Sequence, residues 1–289
     1  MDTKRLLKKE NLIYQGKSKN VYDIKAGEFA GKYAFLFTDR ATGYVDKDGQ
    51  VVYDPGYDNV VGEISGKGAI ACQFASRFFK CLKEKGVPSH YIATVGENVM
   101  IVEPATPISM PCQSPEFRGA APLVNLEFTW RNNAMGSFWR RYPFVRPCVN
   151  LHQVVEAWTK GASDILITFE ALEAAGVMTG SEIDHVKRLV QAIAQVVSDE
   201  LTARGMHAID GKFELGRLKS GDGKIVLIDE ISPDVLRVCR GYIPGAGGHC
   251  QAYHECIVTE YREGKRTIRG KKQLDSDALK EAFLSSESA

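Results

Sequence analysis

The sequence predicts an α+β protein with two lobes, and three observations support this prediction. The chain has 289 residues, more than one small hydrophobic core requires. Strand-like runs of apolar residues alternate with two long segments of helical periodicity. A proline-containing segment, residues 103–107, interrupts this pattern and is predicted to link the lobes. We therefore expect an N-terminal α+β lobe over residues 1–104 and a C-terminal α+β lobe over residues 105–289.

Composition excludes several classes of protein. With 44% hydrophobic and 25% charged residues, the chain resembles an ordinary soluble globular protein. Its formal net charge of +1 provides no overall field to attract nucleic acid or an anionic membrane, so we expect neither as a partner. No apolar run reaches the length of a membrane span, and the first ten residues lack the apolar core of a signal peptide. Seven scattered cysteines without a CxxC pair favour reduced thiols and a cytoplasmic protein.

A short turn containing glycine and lysine comes first in the predicted N-terminal lobe. It consists of Gly16, Lys17, Ser18 and Lys19. A strand-like stretch follows at residues 21–24. Glycine lets the backbone approach a phosphate closely, and the lysines would neutralise the phosphate charge. The turn lacks the spacing of a Walker A loop, and a strand rather than a helix follows it. A plain hairpin turn with surface lysines is an equal alternative.

The rest of the N-terminal lobe is predicted to combine strands with one helix. Residues 33–38 form an apolar strand, and residues 91–95 and 99–102 form a hairpin around a Gly-Glu-Asn turn. Residues 69–85 carry apolar side chains at every fourth position and predict an amphipathic helix, which Gly86 is expected to end. We expect the aromatic residues of this helix to lie in the core rather than to contact a ligand.

Polar and small residues follow the first predicted strand of the C-terminal lobe. Residues 123–130 predict that strand, and Arg131 is expected at its end. Gly136 and Ser137 come a few residues later. A guanidinium, backbone N–H groups and a hydroxyl within so short a segment suit the binding of a phosphate or a carboxylate. Residues 143–165 give no clear pattern.

A capping box predicts the start of a long helix. Thr179 is followed three residues later by Glu182, and apolar residues then recur at helical spacing to about residue 204. Gly205 is expected to end the helix. The helix would lead directly into a strand that carries closely spaced charged residues, so these residues would lie on a packed scaffold.

That strand and the next one form a predicted hairpin, whose turn at residues 219–224 is rich in Gly, Ser and Asp. Side chains alternate along a strand, so charged residues at every second position share one face. On the first strand these residues are Asp210, Lys212 and Glu214. On the second, if strand geometry persists, Asp229 and Ile231 share a face, with Glu230 opposite. Clustered carboxylates are costly unless they are paired, hydrated or bound to a cation, for which Mg²⁺ is a natural candidate. A solvated charged face is the alternative.

Four segments of the chain together resemble the SAICAR synthetase family. They are residues 16–22, 131–137, 210–216 and 229–234, the last followed by Arg237. They occur in the family's order and fall within residues 11–240. The resemblance implies an ATP-grasp-like nucleotide cleft between two α+β lobes. It also implies ATP-dependent joining of the carboxylate of carboxyaminoimidazole ribonucleotide (CAIR) to the amine of L-aspartate through an acyl phosphate. The products would be ADP, phosphate and SAICAR, an intermediate of purine biosynthesis.

The resemblance also implies roles for individual residues. Those assigned to ATP are Gly16, Lys17, Ser18, Lys19, Val102 and Glu127. Those assigned to Mg²⁺ are Glu214 and Asp229. Those assigned to the CAIR substrate are Arg131, Ser137, Asp234 and Arg237. Those assigned to catalysis are Asp210, Lys212 and Arg237. Lys212 would neutralise charge on the transferred phosphoryl group or the acyl phosphate. The resemblance further implies a homo-oligomer.

Other activities stay open from the sequence. From Arg237 onward the family has Arg-Leu-Trp-Asp, whereas this chain has Arg-Val-Cys-Arg. A paralogous ATP-dependent amide ligase acting on a different acid or amine is therefore the alternative. A regulatory protein that only binds a nucleotide is disfavoured, because binding alone does not need Lys212, Glu214 and Asp229 together. A small-molecule kinase is disfavoured by the segment at residues 131–137.

Overall fold

The computed structural model describes residues 6–53, 59–113, 116, 123–146, 148–161, 164–232 and 235–240. The first strands are β1 (Leu12–Gln15), β2 (Lys19–Asp23), β3 (Tyr33–Phe37), β4 (Arg40–Val45), β5 (Val51–Tyr53), β6 (Asn59–Glu63), β7 (Tyr91–Val95) and β8 (Val99–Val102). The later strands are β9 (Ala105–Pro107), β10 (Ser109–Pro111), β11 (Leu123–Asn133), β12 (Asn150–Thr159), β13 (Leu166–Ile167), β14 (Met206–Leu218), β15 (Ile225–Ile228) and β16 (Leu236–Arg240).

The helices are α1 (Lys67–Glu84), α2 (Gly136–Arg141), α3 (Phe169–Ala174) and α4 (Gly180–Thr202), with a 3-10 turn at Lys9–Asn11. Helices and antiparallel strands are thus mixed along the chain, and the predicted α+β class is confirmed. Within the described ranges, no helix combines the length and the apolar character needed to pass through a membrane.

An antiparallel five-stranded sheet, in the order β1-β2-β3-β8-β7, is built from residues before 103. Helix α1 packs on it, and its predicted apolar positions Phe74, Phe78 and Leu82 are buried. Gly86 follows the helix with a φ of +71°, which confirms the predicted end of the helix. A smaller antiparallel sheet, β5-β4-β6, accompanies it. The turn between β1 and β2 contains Gly16, as the sequence predicts.

The eight-stranded sheet is antiparallel and built from residues after 104. Its main path is β13-β12-β11-β14-β15, with β10 beside β11 and with β9 and β16 beside β14. Strand β14 has 13 residues and therefore pairs with β9, β11, β15 and β16 along its length. The predicted hairpin of β14 and β15 is confirmed. The predicted linker is partly wrong, because Ala105–Pro107 forms a strand that pairs with β14.

Helix α4 covers one face of this sheet. Thr179 Oγ1 accepts a hydrogen bond from Glu182 N, and Glu182 Oε2 accepts one from Thr179 N, so the predicted capping box is confirmed. The apolar stripe of the helix is buried in a core that also contains inward-facing residues of β11 and β14. Since side chains alternate on a strand, the opposite face of the sheet is left for polar residues.

Two parts of the sheet differ from the prediction. Strand β11 continues to Asn133, so Arg131 lies within a strand rather than at its end; pairing with β12 and β14 on both sides carries the strand further. Residues 150–159, which give no pattern in the sequence, form β12. Near its start His152 and Gln153 have φ of 50° and 60°, a conformation that interrupts regular alternation.

Candidate active site

Charged side chains line the face of the eight-stranded sheet that α4 does not cover. Directly opposite residues of antiparallel strands share a face. The register pairs Lys212 with Thr129, and Asp210 with both Arg131 and Arg237. The intervening side chain of Phe213 is buried in the core. The predicted alternation along β14 is therefore confirmed, and it gathers residues from separate segments of the sequence.

Arg131 is enclosed by partners on this face. Its Nη1 donates to Asp210 Oδ2 over 2.7 Å, its Nε to Glu156 Oε2 over 3.1 Å, and its Nη2 to Ser137 Oγ over 3.2 Å. Burial alone would lower the pKa of Arg131, but the carboxylates of Asp210 and Glu156 raise it. Only 6% of the residue is exposed. Arg131 therefore fixes the positions of the hydroxyl and the carboxylates around it.

Arg237 shares Asp210 with Arg131. The distance from Arg237 Nη1 to Asp210 Oδ2 is 3.5 Å. The guanidinium lies against Gly136, where an added Cβ would stand 2.3 Å from Nη1. Gly136 precedes Ser137 in the first turn of α2, so the structure brings together the arginines, the serine and the carboxylate that the sequence assigns to one site.

Two lysines pair with carboxylates further along the same face. Lys212 Nζ lies 3.1 Å from Glu127 Oε2. Lys160, which follows β12, forms an ion pair with Glu214. Burial alone would lower the pKa of Lys160, but the negative charges of Glu214 and Asp229 raise it. Positive and negative groups thus alternate over the site, and each buried charge has an opposite one nearby.

Glu214 and Asp229 are the carboxylates best suited to hold a cation. Burial raises the pKa of Glu214, and the nearby charge of Asp229 raises it further. A cation beside two neighbouring carboxylates favours their charged forms and so relieves this repulsion. No group of three His, Cys, Asp or Glu side chains within the described part of the chain could hold a metal ion. Two carboxylates suffice for Mg²⁺ when phosphate oxygens supply other ligands, so the residues fit a metal shared with a phosphorylated ligand.

Lys19 reaches from the N-terminal sheet into the same acidic group. Its Nζ lies 2.9 Å from Asp229 Oδ1 and 2.7 Å from Glu230 Oε1. Asp229 and Glu230 were expected to face opposite ways if strand geometry persisted, but it does not, because β15 ends at Ile228 and Asp229 has a φ of 67°. In this left-handed conformation the strand geometry is lost, and both carboxylates approach one ammonium. Burial alone would raise the pKa of Asp229, but Lys19 and Lys160 lower it.

The turn before Lys19 is held close to the acidic group. Gly16 N donates a hydrogen bond to Lys19 O over 2.8 Å, and this bond closes the turn formed by residues 16–19. Ser18 O accepts from Thr38 N, and Ser18 Oγ lies 3.5 Å from Glu230 Oε1. The turn therefore lies next to the carboxylates of Asp229 and Glu230.

His90 connects the end of β8 with the acidic group. Its backbone oxygen accepts from Glu103 N, the residue after Val102, and its Nε2 donates to Asp229 O over 3.3 Å. Burial lowers the pKa of His90 to about 4. The imidazole is therefore neutral near pH 7, and the proton lies on Nε2 because a carbonyl can only accept. Val102 is fully buried at the end of β8.

Comparison with known proteins identifies the family. The family model for SAICAR synthetase matches residues 12–243. The chain belongs to the SAICAR synthetase family. A phosphoribosylaminoimidazole-succinocarboxamide synthase from Clostridium tetani is 35% identical over 234 residues, which are 80% of this chain and 92% of that protein.

Solved structures of the SAICAR synthetase family share the fold. A phosphoribosylaminoimidazole-succinocarboxamide synthase from Ehrlichia chaffeensis superposes with a TM-score of 0.65 at 21% identity, covering 93% of this chain and 98% of that one. A type-2 SAICAR synthetase in complex with ADP superposes with a TM-score of 0.61 at 27% identity, covering 87% and 97%. The predicted two-lobed, ATP-grasp-like fold of SAICAR synthetases is thereby confirmed.

Several ionisable residues of this SAICAR synthetase site were not assigned from the sequence. They are His90, Glu156, Lys160 and Glu230. Glu156 lies in β12 and Lys160 directly follows it, so their even spacing of four residues was the available signal. Glu230 was expected on the face opposite Asp229, whereas both carboxylates contact Lys19. Asp234, assigned to the substrate, lies outside the described residues.

Proposed function

We propose that this chain is an ATP-dependent ligase that joins the carboxylate of CAIR to the amine of L-aspartate, giving SAICAR, ADP and phosphate for purine biosynthesis. The observation that carries the proposal is that Arg131 and Arg237 both pair with Asp210. Asp210 lies on the sheet face that also bears Glu214, and Glu214 is close to Asp229. Membership of the SAICAR synthetase family supports it. The name of the Clostridium tetani relative and the ADP bound to a 27% identical structure support it as well.

Arg237 and Ser137 are proposed to bind the anionic groups of CAIR, and the family resemblance assigns Asp234 to the same substrate. Each nitrogen of the Arg131 guanidinium already donates a hydrogen bond within the protein. Arg131 therefore acts mainly by fixing Ser137 and Asp210. The side chain of Arg237 is 16% exposed, compared with 7% for that of Arg131, so Arg237 is the guanidinium more open to a ligand. A guanidinium suits both phosphate and carboxylate groups.

The proposed nucleotide site lies at the lobe boundary. The turn of residues 16–19 would cover the ATP phosphates, and the end of β8 at Val102 would meet adenine. The proximity of this turn to Asp229 supports the assignment. Glu214 and Asp229 would hold Mg²⁺, which when bound neutralises charge on the phosphates.

The proposed reaction has two chemical steps. An oxygen of the CAIR carboxylate attacks the γ-phosphorus of ATP, so that an O–P bond forms as the bond to ADP breaks. The amine of L-aspartate then attacks the acyl carbon; a C–N bond forms, phosphate leaves with the electron pair of the C–O bond, and nitrogen loses a proton. Activation is needed because a free carboxylate is a poor electrophile. Lys212, held by Glu127, is proposed to neutralise the charge that develops on the phosphoryl group.

ADP release measured with ATP and Mg²⁺ tests the proposal. CAIR and L-aspartate are added separately and then together. We expect turnover only with both, and SAICAR as the product by mass spectrometry. Turnover with another acid–amine pair, but not with CAIR and aspartate, would overturn this proposal in favour of the paralogous amide ligase, the second candidate that the divergent Arg-Val-Cys-Arg segment favours.

We also propose a cytoplasmic, homo-oligomeric protein divided near residue 104. The support for the division is that the five-stranded sheet uses only residues before 103 and the eight-stranded sheet only residues after 104. Size-exclusion chromatography with light scattering measures the oligomeric state, and a monomer at micromolar concentration would contradict the proposal.

A further inference from the structure

Lys19 and Glu230 form a buried ion pair between the two large sheets. Lys19 is 8% exposed, Glu230 is 6% exposed, and Nζ lies 2.7 Å from Oε1. Removing both charges from water is costly, so such a pair contributes little net stability unless all its atoms are satisfied. Glu230 Oε2 is buried and accepts no hydrogen bond from the described residues. The pair is therefore better explained by the position it gives to Lys19 than by stability.

The same ammonium also neutralises Asp229. The distance from Lys19 Nζ to Asp229 Oδ1 is 2.9 Å, slightly longer than its distance to Glu230. Asp229 is one of the two carboxylates proposed to hold Mg²⁺. A divalent cation on this carboxylate would stand close to the ammonium, and the two positive charges would repel each other. Binding of the metal therefore requires the Lys19 ammonium to move away from Asp229.

We propose that Lys19 occupies Asp229 until a divalent cation replaces it, and that Glu230 is a positioning residue that retains Lys19 at the lobe boundary during this exchange. The inference rests on the proposed role of Asp229 as a metal ligand. Glu230 acts on the metal only through Lys19. It competes with Asp229 for the ammonium, and it keeps the ammonium near the turn that would cover the phosphates.

The surroundings of the ammonium allow such an exchange with little movement. The two carboxylates belong to adjacent residues, so the Lys19 ammonium can move from Asp229 to Glu230 over a short distance. The rings of Phe35 and Phe37 lie 6.0 and 5.5 Å from Nζ and favour a cation at this place. The loss of one carboxylate would thus leave the ammonium with Glu230 and two aromatic faces.

Mn²⁺ binding to the nucleotide-free protein tests the inference without any turnover. Free Mn²⁺ is measured by electron paramagnetic resonance. We expect Lys19→Met to bind Mn²⁺ several-fold more tightly than the wild type, because Asp229 is no longer occupied. We expect Glu230→Gln to bind it several-fold more weakly, because Lys19 then has only Asp229 as a partner.

The double variant Lys19→Met/Glu230→Gln separates an effect through Lys19 from a direct one. If Glu230 acts through Lys19, its replacement has little effect once Lys19 is absent, and the double variant binds Mn²⁺ more tightly than the wild type. A loss from Glu230→Gln that is equally large with and without Lys19 would overturn the inference. So would unchanged affinity, or no binding, in Lys19→Met. The double variant also leaves no unpaired charge at position 230, which protects the test should Lys19→Met alone fold poorly.

Two controls complete the design. Lys32→Met removes a different lysine–glutamate pair, that of Lys32 and Glu103, and should leave Mn²⁺ affinity unchanged. Asp229→Asn tests the proposed function separately, because it should abolish most Mn²⁺ binding. Should Asp229→Asn bind Mn²⁺ normally, the assigned metal site is wrong. If Asp229→Asn loses binding while Lys19→Met binds as the wild type does, the metal site stands and only the exchange is wrong.

Discussion

Gly136 is the residue on which the position of Arg237 depends. Its φ is +54°, a conformation that side chains disfavour, and an added Cβ would meet the Arg237 guanidinium at 2.3 Å. Glycine here lets the guanidinium lie directly on the backbone at the start of α2. The Arg237 guanidinium from the strand and the Ser137 hydroxyl from the helix can then face one anionic ligand. Gly136 thus contributes to binding because the space that a side chain would fill is occupied by the Arg237 guanidinium.

Gly136→Ala is expected to displace Arg237 and to weaken CAIR binding. Losing a charge-assisted hydrogen bond costs about 1.5–3 kcal/mol, so the KM for CAIR should rise roughly 10- to 100-fold. The KM for ATP should change little. Steady-state kinetics with each substrate varied in turn measures both values, and Arg237→Ala should give a similar pattern.

Gly86→Ala is the matched control for Gly136→Ala. Gly86 also has a positive φ, +71°, but no atom lies within 4 Å of an added Cβ. The variant therefore introduces the same backbone strain without touching Arg237. A rise in the KM for CAIR that is as large in Gly86→Ala would mean that strain, and not the displaced guanidinium, causes the effect.

At the scale of elements, Glu182 fixes both the start of α4 and the contact of α4 with the sheet. Its carboxylate accepts hydrogen bonds from Thr179 N and Thr179 Oγ1, and it also binds Arg217 of β14. The hydrogen bond from Arg217 is the main reason why the pKa of Glu182 falls to about 2. The cap of the helix is thus coupled to the strand that carries the charged residues of the site.

The lowered pKa of Glu182 predicts acid sensitivity. The folded pKa of about 2 lies below the ordinary 4.5, so this stabilisation is complete above pH 4.5 and is lost as the pH falls towards 2. Arg217→Met should raise the folded pKa and reduce the pH dependence in this window. Urea unfolding between pH 5 and pH 2.5, compared with Arg204→Met as a control, measures the difference. Equal pH profiles for the two variants would contradict the expectation.

Elements with local signals were predictable from the sequence. Helices α1 and α4 show helical periodicity with their own end signals, and the hairpin of β14 and β15 has a glycine-rich turn. Strand β12 was not predictable, because the positive φ of His152 and Gln153 disrupts the alternation at its start. A left-handed conformation is usually signalled by glycine, but here it occurs at Asp229. The end of the strand geometry, and with it the orientation of Glu230, could therefore not be read from the sequence.

The enclosure of Arg131 was hidden for a different reason. Glu156 contacts Arg131 only because the register of β11 and β12 brings together residues 25 positions apart. A sequence pattern gives the residue types of a site, but the pairing of strands decides which of them neutralise each other. The structure places Arg131 beside Ser137 and Asp210, as the sequence predicts, while its enclosure by two carboxylates could not be foreseen.

At the scale of the whole molecule, two imidazoles, the buried His90 and the half-buried His207, make folding depend on pH. Burial lowers the pKa of His90 and of His207 to about 4 each. His90 lies between the two large sheets, and His207 Nε2 lies 2.7 Å from Asn133 Oδ1 within the C-terminal sheet. Both sites favour the neutral ring, so acid should weaken each sheet region and their contact together.

Stability is expected to fall as the pH drops from 6.5 to 4. The unfolded histidines bind protons below about 6.5, and the folded ones only near 4, so unfolding takes up about two protons in this window. Between pH 7 and pH 5 the expected loss is on the order of 1–2 kcal/mol for His90, and smaller for the half-buried His207, whose charge is partly screened by solvent. Urea unfolding of the wild type and of His90→Gln/His207→Asn measures it. A double variant with the same pH slope as the wild type would contradict the assignment.

Strand β14 has a consequence for the rate at which amide protons exchange with solvent. Because four strands pair with it, most of its backbone N–H groups can open only when neighbouring strands separate. Deuterium should therefore enter the centre of β14 last, at a rate set by global unfolding. It should enter β1 early, since every residue of β1 is exposed and the strand lies at a sheet edge. The strand that carries Asp210, Lys212 and Glu214 would then be the part of the molecule that holds its shape longest.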